Sequence, residues 1–155
     1  MEIKKLKDVT LERILNAPRE LVWRAFTEEK LLKVWWGPHG FTNPVCEMDV
    51  RVGGKLKIHM DAPAFPNHWC HGVFHEIVKH EKLVFTTTAF IDESGKPKIE
   101  GRNTVTFEKL DGNKTKLTLH VHMIYLAPDM QAAYDGMETG WSQSFERLAK
   151  LLESL

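Results

Sequence analysis

The apolar positions near the C-terminus keep helical spacing. Tyr134, Met137, Trp141, Phe145, Leu148, Leu152 and Leu155 recur at intervals of three or four residues, with Asp135, Glu138, Ser142, Glu146, Lys150 and Glu153 between them. That spacing puts one apolar stripe and one wet side on a single α-helix. Pro128 suits a first turn, where its missing N–H would have been unpaired in any case. The pattern therefore predicts one helix over 128–155, roughly 40 Å long at 1.5 Å rise per residue. A helix of that length needs a large apolar surface to lie on.

Upstream the period changes. Val9–Leu15 alternates loosely and predicts a first strand. Pro18 opens a short helix, with Asn16 or Ala17 as cap and Leu21, Val22, Ala25 and Phe26 on its buried side. Thr27 is placed to cap a second, with Glu28 and Glu29 in its first turn and Leu31, Leu32, Trp35 and Trp36 facing inward; Gly37-Pro38 stops it. Strand patterns follow at Val45–Val52, Lys55–Met60, Trp69–Val78, Leu83–Phe90, Arg102–Leu110 and Lys114–Met123. Turn signals separate them at Gly53-Gly54, at 79–82, at 92–97 and at Asp111-Gly112-Asn113, and Asp61–Asn67, with two prolines, reads as a loop.

Strands in a run with helices set apart predict an α+β fold. The expected architecture is a curved antiparallel sheet of about seven strands, two short helices after the first strand, and the long C-terminal helix over the concave face. This helix-grip arrangement is expected to form one domain over 1–155, with a cavity above roughly 300 Å³ beneath the helix.

Composition narrows the function. Lys+Arg and Asp+Glu are both 21, and the charges are interleaved, which argues against a nucleic-acid surface or an anionic membrane as partner. No run approaches a membrane span, and Met1–Asp8 has no apolar signal core, so a cytoplasmic location is expected. Cys46 and Cys70 have no metal or redox spacing and are read as free thiols.

Eight histidines stand out, but no His-Glu-x-x-His or Cys/His spacing accompanies them, and no metal site is assigned. If Leu117, Leu119 and Val121 face the helix, His120 and His122 point outward, as does His59 by its parity against Leu56, Ile58 and Met60. His71 is the favoured polar group of the pocket, although its strand parity is open between His71/Val73/Ile77 and Gly72/Phe74/Val78. Asp49 and Arg51 are read as an outward-facing pair. Gly136 and Gly140 form a small-residue groove on the helix. No Ser-His-Asp order, Cys-His pair, phosphate loop or carboxylate pair stands out, so the reading leans away from an enzyme.

Several stretches together carry a family likeness. ERILNAPRELVWRAFTEEKLLKVWWGPHGFT (12–42), MDVRVGGKLKIHM (48–60), GVFHEIVKHEKLVFT (72–86), TVTFEKLDGNKTKLTLH (104–120) and GWSQSFERLAKLLESL (140–155) resemble the START-like, birch-pollen-allergen-like (SRPBCC) superfamily. Within it they resemble the family named after the C-terminal domain of the activator of the heat-shock protein 90 ATPase. The resemblance implies a helix-grip fold with a hydrophobic cavity, in a group whose members are similar to ligand carriers, self-sacrificing resistance proteins and a co-chaperone domain. The extra N-terminal domain of the co-chaperones has no counterpart in this sequence, which weakens the expectation of a direct chaperone role.

The leading expectation is a small hydrophobic or aromatic ligand, bound without an obligate cofactor between the C-terminal helix and the sheet. The expected lining is Trp35, Phe41, Met48, Ile58, Met60, Trp69, His71, Phe74, Phe85, Thr87, Phe107, Met137, Trp141 and Phe145. One alternative is a chaperone-activator-type interaction module with a chaperone partner, which requires an exposed apolar or charged outer patch. The other is a cavity-based cyclase or hydrolase-like enzyme, which requires at least two polar groups within reach of one cavity point. The expected state is monomer or homodimer.

Overall fold

The computed structural model describes residues 6–155; the reading of residues 1–5 as free of a signal core lies outside them. The strands are β1 (Val9–Leu15), β2 (Thr42–Met48), β3 (Lys55–Ala62), β4 (Phe65–Val78), β5 (Lys82–Ile91), β6 (Pro97–Leu110) and β7 (Lys114–Leu126). They form one seven-stranded sheet in the order β1-β7-β6-β5-β4-β3-β2, with every neighbouring pair antiparallel. β1 and β2 are sequential yet lie at opposite edges. Helices α1 (Arg19–Thr27) and α2 (Glu29–Trp35) carry the chain between those edges and bury Val22, Trp23, Phe26, Leu32 and Trp35.

The two short helices meet at Glu28, which ends α1 through its N–H to Arg24 O and opens α2. Thr27, expected to cap α2, instead closes α1 by donating its hydroxyl to Trp23 O at 2.8 Å. Pro18 takes the N-cap position of α1 expected of Asn16 or Ala17, and its carbonyl accepts from Leu21 and Val22. Gly37 adopts φ +96°, the left-handed conformation required where the chain leaves α2.

Two sequence expectations are revised. The segment 61–67 is no open loop: β3 runs to Ala62 and β4 starts at Phe65, with Ala62 opposite Phe65. Its prolines are accommodated because Pro63 sits in the turn and Pro66 lies beside a register shift, where the regular ladder is already broken. The C-terminal helix is not continuous either. A 3₁₀ turn (Pro128–Met130) and α3 (Gln131–Asp135) precede α4 (Met137–Glu153), with Gly136 between them at φ −86° and ψ −3°. Glycine weakens a helix by about 1 kcal/mol relative to alanine. Here the upstream segment is also held elsewhere: Tyr134 Oη donates to Lys7 O at 2.6 Å, and Ala127 N to Lys98 O. α4 is thus roughly 25 Å long, and Leu155, expected in the stripe, lies beyond its end and is exposed.

The core lies between α1, α2 and α4 and the concave face. No helix among the described residues is long and apolar enough to cross a membrane.

Candidate functional site

The strand register sorts the concave face into transverse rows. One row is Phe74–Phe85–Asn103–Val121; the next is Leu56–Gly72–Thr87–Gly101–Met123; the third is Ile58–Cys70–Ala89–Ile99–Leu126. Bulky rings fill the first row on β4 and β5, while the same strands offer Gly72, Thr87, Cys70 and Ala89 in the other two. Gly101 continues this small-residue floor onto β6. A Cβ added there would meet Val121 and Met123 no closer than 3.4 Å, so nothing crowds the position.

At the bulky end the space beneath the helices is full. Trp35, Phe74, Phe85, Phe107 and Phe145 are each 2% exposed or less, and Ile58, in the third row, is as fully buried. Trp35 Nε1 donates to Ala25 O at 2.9 Å, tying α2 to α1. Phe26 meets Trp35 and Phe107 at centroid distances of 4.8 and 5.3 Å. Trp36 bridges Trp35, Phe85 and Trp141 at 5.9, 6.4 and 5.3 Å. The remaining void among Phe26, Leu32, Trp36, Met48, Leu56, Phe74, Leu83 and Phe85 is about 10 Å³, room for one water at most. The expectation of a cavity of several hundred Å³ among these side chains is corrected: the aromatic rings proposed as its walls occupy the space themselves.

The small-residue end differs. Met60, Thr87, Ala89, Ile99, Leu126, Met137 and Trp141 are half-buried. Met137 and Trp141, on the first turns of α4, pack against the core, as do Tyr134 and Met60. Phe41 lies beside Gly37 and the Met60 methyl. An aromatic chain runs from it: Phe41 stacks on Phe65 at 6.4 Å, Phe65 meets His68, and His68 meets Phe90. Of the expected lining, Phe41 and Met60 meet beside Gly37, Met137 and Trp141 pack against the core from α4, Thr87 is half-buried on β5, and Met48 sits at the sheet edge between the internal void and the outer surface.

Arg147, which sequence reasoning passed over, fixes the loop beside this end. Its Nη1 donates to Trp36 O, Gly37 O and Pro38 O at 2.8–3.1 Å, and its Nη2 to Val34 O at 2.8 Å. A cation at the C-terminus of α2 meets the negative end of the helix dipole, and partial burial pushes its pKa below the ordinary value. Gln143 accepts from His39 N at 3.1 Å, and Gly140 lets Pro38 approach to 3.5 Å from where a Cβ would stand. The available sequence signal was the spacing Gly140–Gln143–Arg147, one side of α4 with little apolar character.

Two expected lining residues lie on the other side of the sheet. Trp69 is opposite His59, and His71 opposite Lys57, in the parity that sends side chains away from α4. The ambiguous parity of His71 is thus settled by Leu56 and Ile58, which are buried and alternate with Lys57. Trp69 stacks on His59 at 4.5 Å with Lys57 Nζ 4.9 Å above its ring. Beside them the outer face holds a trough of about 630 Å³ lined by Glu47, Lys57, His71, Thr88 and Glu100, one complete transverse row, with Lys55, Val73 and Thr86 from the next. This hollow is broad, lies on the opposite side of the sheet from α4, and is ringed by charged residues whose aliphatic parts form most of its wall.

His120 and His122 also face outward, bonded to the two carboxylate oxygens of Asp8 at 2.8 and 2.9 Å; those bonds hold Asp8 below its usual pKa. Asp49 pairs with Arg51 at 2.6 Å on the exposed turn. Among the described residues no group of three or more His, Cys, Asp or Glu is arranged to hold a metal ion. Burial pushes the Cys70 thiol up to about 12, and burial with nearby Glu29 pushes Cys46 to about 11, so neither is a nucleophile at neutral pH.

Comparison with known proteins agrees with this geometry. The family model described as Activator of Hsp90 ATPase homolog 1-like protein matches residues 16–153. A Chromobacterium violaceum protein of known crystal structure is 31% identical, with 94% of this chain and 96% of that one covered and a TM-score of 0.80. A Nitrosomonas europaea protein is 25% identical over 95% and 94% of the two chains, with a TM-score of 0.78. An Arthrobacter aurescens protein solved by NMR is 25% identical over 96% and 87%, with a TM-score of 0.80. Among curated proteins none matches the chain.

Proposed function

The chain belongs to the activator of Hsp90 ATPase homolog 1-like family, and from that membership we propose that it binds a small hydrophobic or aromatic molecule on the concave face, beneath the first turns of α4. The fold family commonly binds hydrophobic ligands. The observation that carries the placement is the pairing of a small-residue floor with a broken roof. Gly72, Gly101, Cys70 and Ala89 share adjacent rows of the concave face, the helix is interrupted at Gly136, and the half-buried Met60, Met137 and Trp141 pack against the same core. Unbranched thioether side chains rearrange readily, so Met60, Met123 and Met137 make walls that adapt to a guest. The ligand enters between α4 and the Phe41–Phe65–His68–Phe90 rim.

Native mass spectrometry of the protein purified under gentle conditions tests this reading. A one-to-one adduct of low mass, lost in the Trp141→Ala variant, is the expected result. A bare protein that also shows no Trp141-dependent fluorescence change with aromatic probes overturns it.

A second reading is favoured by the outer trough. Glu47, Lys57 and Glu100 share one row there without forming ion pairs among the described residues. Such unpaired charges suit a protein partner of alternating charge, as a chaperone-activator role requires. Cross-linking from Lys57 in cell extract that recovers no chaperone counts against it.

A further inference from the structure

We infer that the outer trough takes a small extended zwitterion: a free molecule with a carboxylate at one end, an ammonium at the other and a methylene body between them. This goes beyond the readings above, which place a hydrophobic guest on the other face of the sheet or a protein against the trough.

The trough has room. Its volume of about 630 Å³ lies within the range of small-molecule sites. It crosses the sheet from β2 to β6 along the row Glu47–Lys57–His71–Thr88–Glu100. Charge is sorted along that row. Lys57 on β3, with Lys55 in the adjoining row, makes a cationic part, and Glu100 on β6 makes an anionic end. Lys55 and Glu100 form no ion pair among the described residues. The Lys57 ammonium lies 4.9 Å from the centre of the Trp69 ring, a weak contact at an exposed site, which a carboxylate can displace.

The remaining charges on the walls are engaged or offset. Asp49 pairs with Arg51 at 2.6 Å, and Glu29 accepts from Met48 N at 3.0 Å. Glu47 stands directly across from Lys57, so each screens the other; Glu100 has no such neighbour in the trough. Arg102, two residues on, is not part of its walls. Between the charges there is little polar chemistry. Thr86 Oγ1 is bonded to His75 Nε2 at 3.0 Å, Thr88 Oγ1 donates to His71 O at 3.3 Å, and Val73 is apolar. That stretch suits methylenes. Lys57 and Glu100 are three strands apart, roughly 14 Å at the usual strand spacing. With about 3 Å left at each end for a charge-assisted contact, the ligand's two charges stand roughly 8 Å apart. A singly charged molecule of that length satisfies one end only.

The test uses the full chain at neutral pH and low salt, with 7-aminoheptanoate, heptanoate, heptylammonium and 4-aminobutanoate as probes. Affinity is read from titrations followed by backbone amide NMR. The longer zwitterion is expected to bind roughly two- to fivefold more tightly than either singly charged probe, the factor for one exposed ion pair. It should shift the amide signals of Lys57, His71, Thr88 and Glu100, and its advantage should shrink as salt is added. Glu100→Gln should remove the advantage over heptanoate. The double variant Lys55→Gln/Lys57→Gln should remove the advantage over heptylammonium. These side chains are exposed or half-buried, so the variants are expected to fold. Equal affinity for the three seven-carbon probes overturns the inference, as does an advantage that these substitutions leave untouched. If the shorter zwitterion binds as tightly and loses affinity in Glu47→Gln, the ammonium sits at Glu47 and the span to Glu100 is wrong. Shifts confined to the concave face, at Gly101 and Met123, overturn the placement. Failure of every probe to bind overturns the inference and leaves the protein reading of the trough to its own test, cross-linking from Lys57.

Discussion

Two ends of one concave face are built from the same strands in opposite styles. Toward α1, β4 and β5 contribute Phe74 and Phe85, β6 contributes Val105 and Phe107, and α4 contributes Phe145 and Leu148, all sealed from solvent. In the neighbouring rows the same two central strands contribute Gly72, Thr87, Cys70 and Ala89, while the C-terminal helical segment is broken at Gly136. The first end behaves as a core: ring contacts at 5.3–6.4 Å tie α1 to the sheet through Phe26–Phe107, the end of α2 to it through Trp36–Phe85, and α4 to α2 through Trp35–Phe145. The second has fewer atoms to hold its helix, and its local opening free energy should be lower. On the proposed reading, stability and binding are separated along one helix, with Trp36 and Trp141 in contact at the boundary.

The largest effect belongs to the sealed end. Leu148 is fully buried, so Leu148→Ala should lower unfolding free energy by about 2–5 kcal/mol, measured by urea denaturation, while aromatic-probe affinity in the folded fraction stays unchanged. Trp141→Ala should be milder for stability, about 1–2 kcal/mol for a half-buried ring, and should abolish probe binding. If the two variants exchange these phenotypes, the division of the face is wrong.

Smaller effects sharpen the boundary. Gly136→Ala meets no atom closer than 3.5 Å and should raise stability by about 0.4–1 kcal/mol by restricting the unfolded chain. In a Cys46→Ser background it should also slow thiol labelling of Cys70, which lies on the floor and is reached only when the roof opens. Labelling of Cys70 at the rate of global unfolding, with or without Gly136, would remove the distinction between the ends.

Asp8 supplies the weakest test. Its carboxyl is held below the ordinary value by bonds from His122 and His120. A depressed carboxyl pKa contributes stability that is complete above the unfolded-state value, about 3.9, and is lost as pH falls through the folded value. Asp8→Asn should therefore be slightly less stable than the parent at pH 6, and the gap should close in acid. A gap unchanged at pH 2.5 would show that the carboxylate's ionisation is not involved.

Much of the fold was legible because it rests on local periods. β1 was read with its observed bounds, the bent helix pair was placed with its glycine stop, and the terminal hairpin was placed at its Asp-Gly-Asn turn. The site was less so. Starting β6 at Arg102 instead of Pro97 left Gly101 outside the strand, and Asn103, although on the parity of Val105 and Phe107, carried no motif that marked it. Arg147 has no acidic partner in the sequence, because its partners are backbone carbonyls of a loop more than a hundred residues earlier.

What the sequence determined by itself were the element types, their order and the α+β class, since each depends on spacing within some ten residues and on turn chemistry. The faces and the free space were decided by tertiary structure. Trp69 and His71 went to the outside because β3 sets their register, and rings chosen as cavity walls became cavity filling because three helices bring them together. The 128–155 pattern was helical throughout, yet contacts of Tyr134 and Ala127 with other segments accompany a break at Gly136. Spacing along a chain specifies which side a residue takes on its own element; whether that side meets another ring, a glycine or water depends on residues the chain brings in from elsewhere.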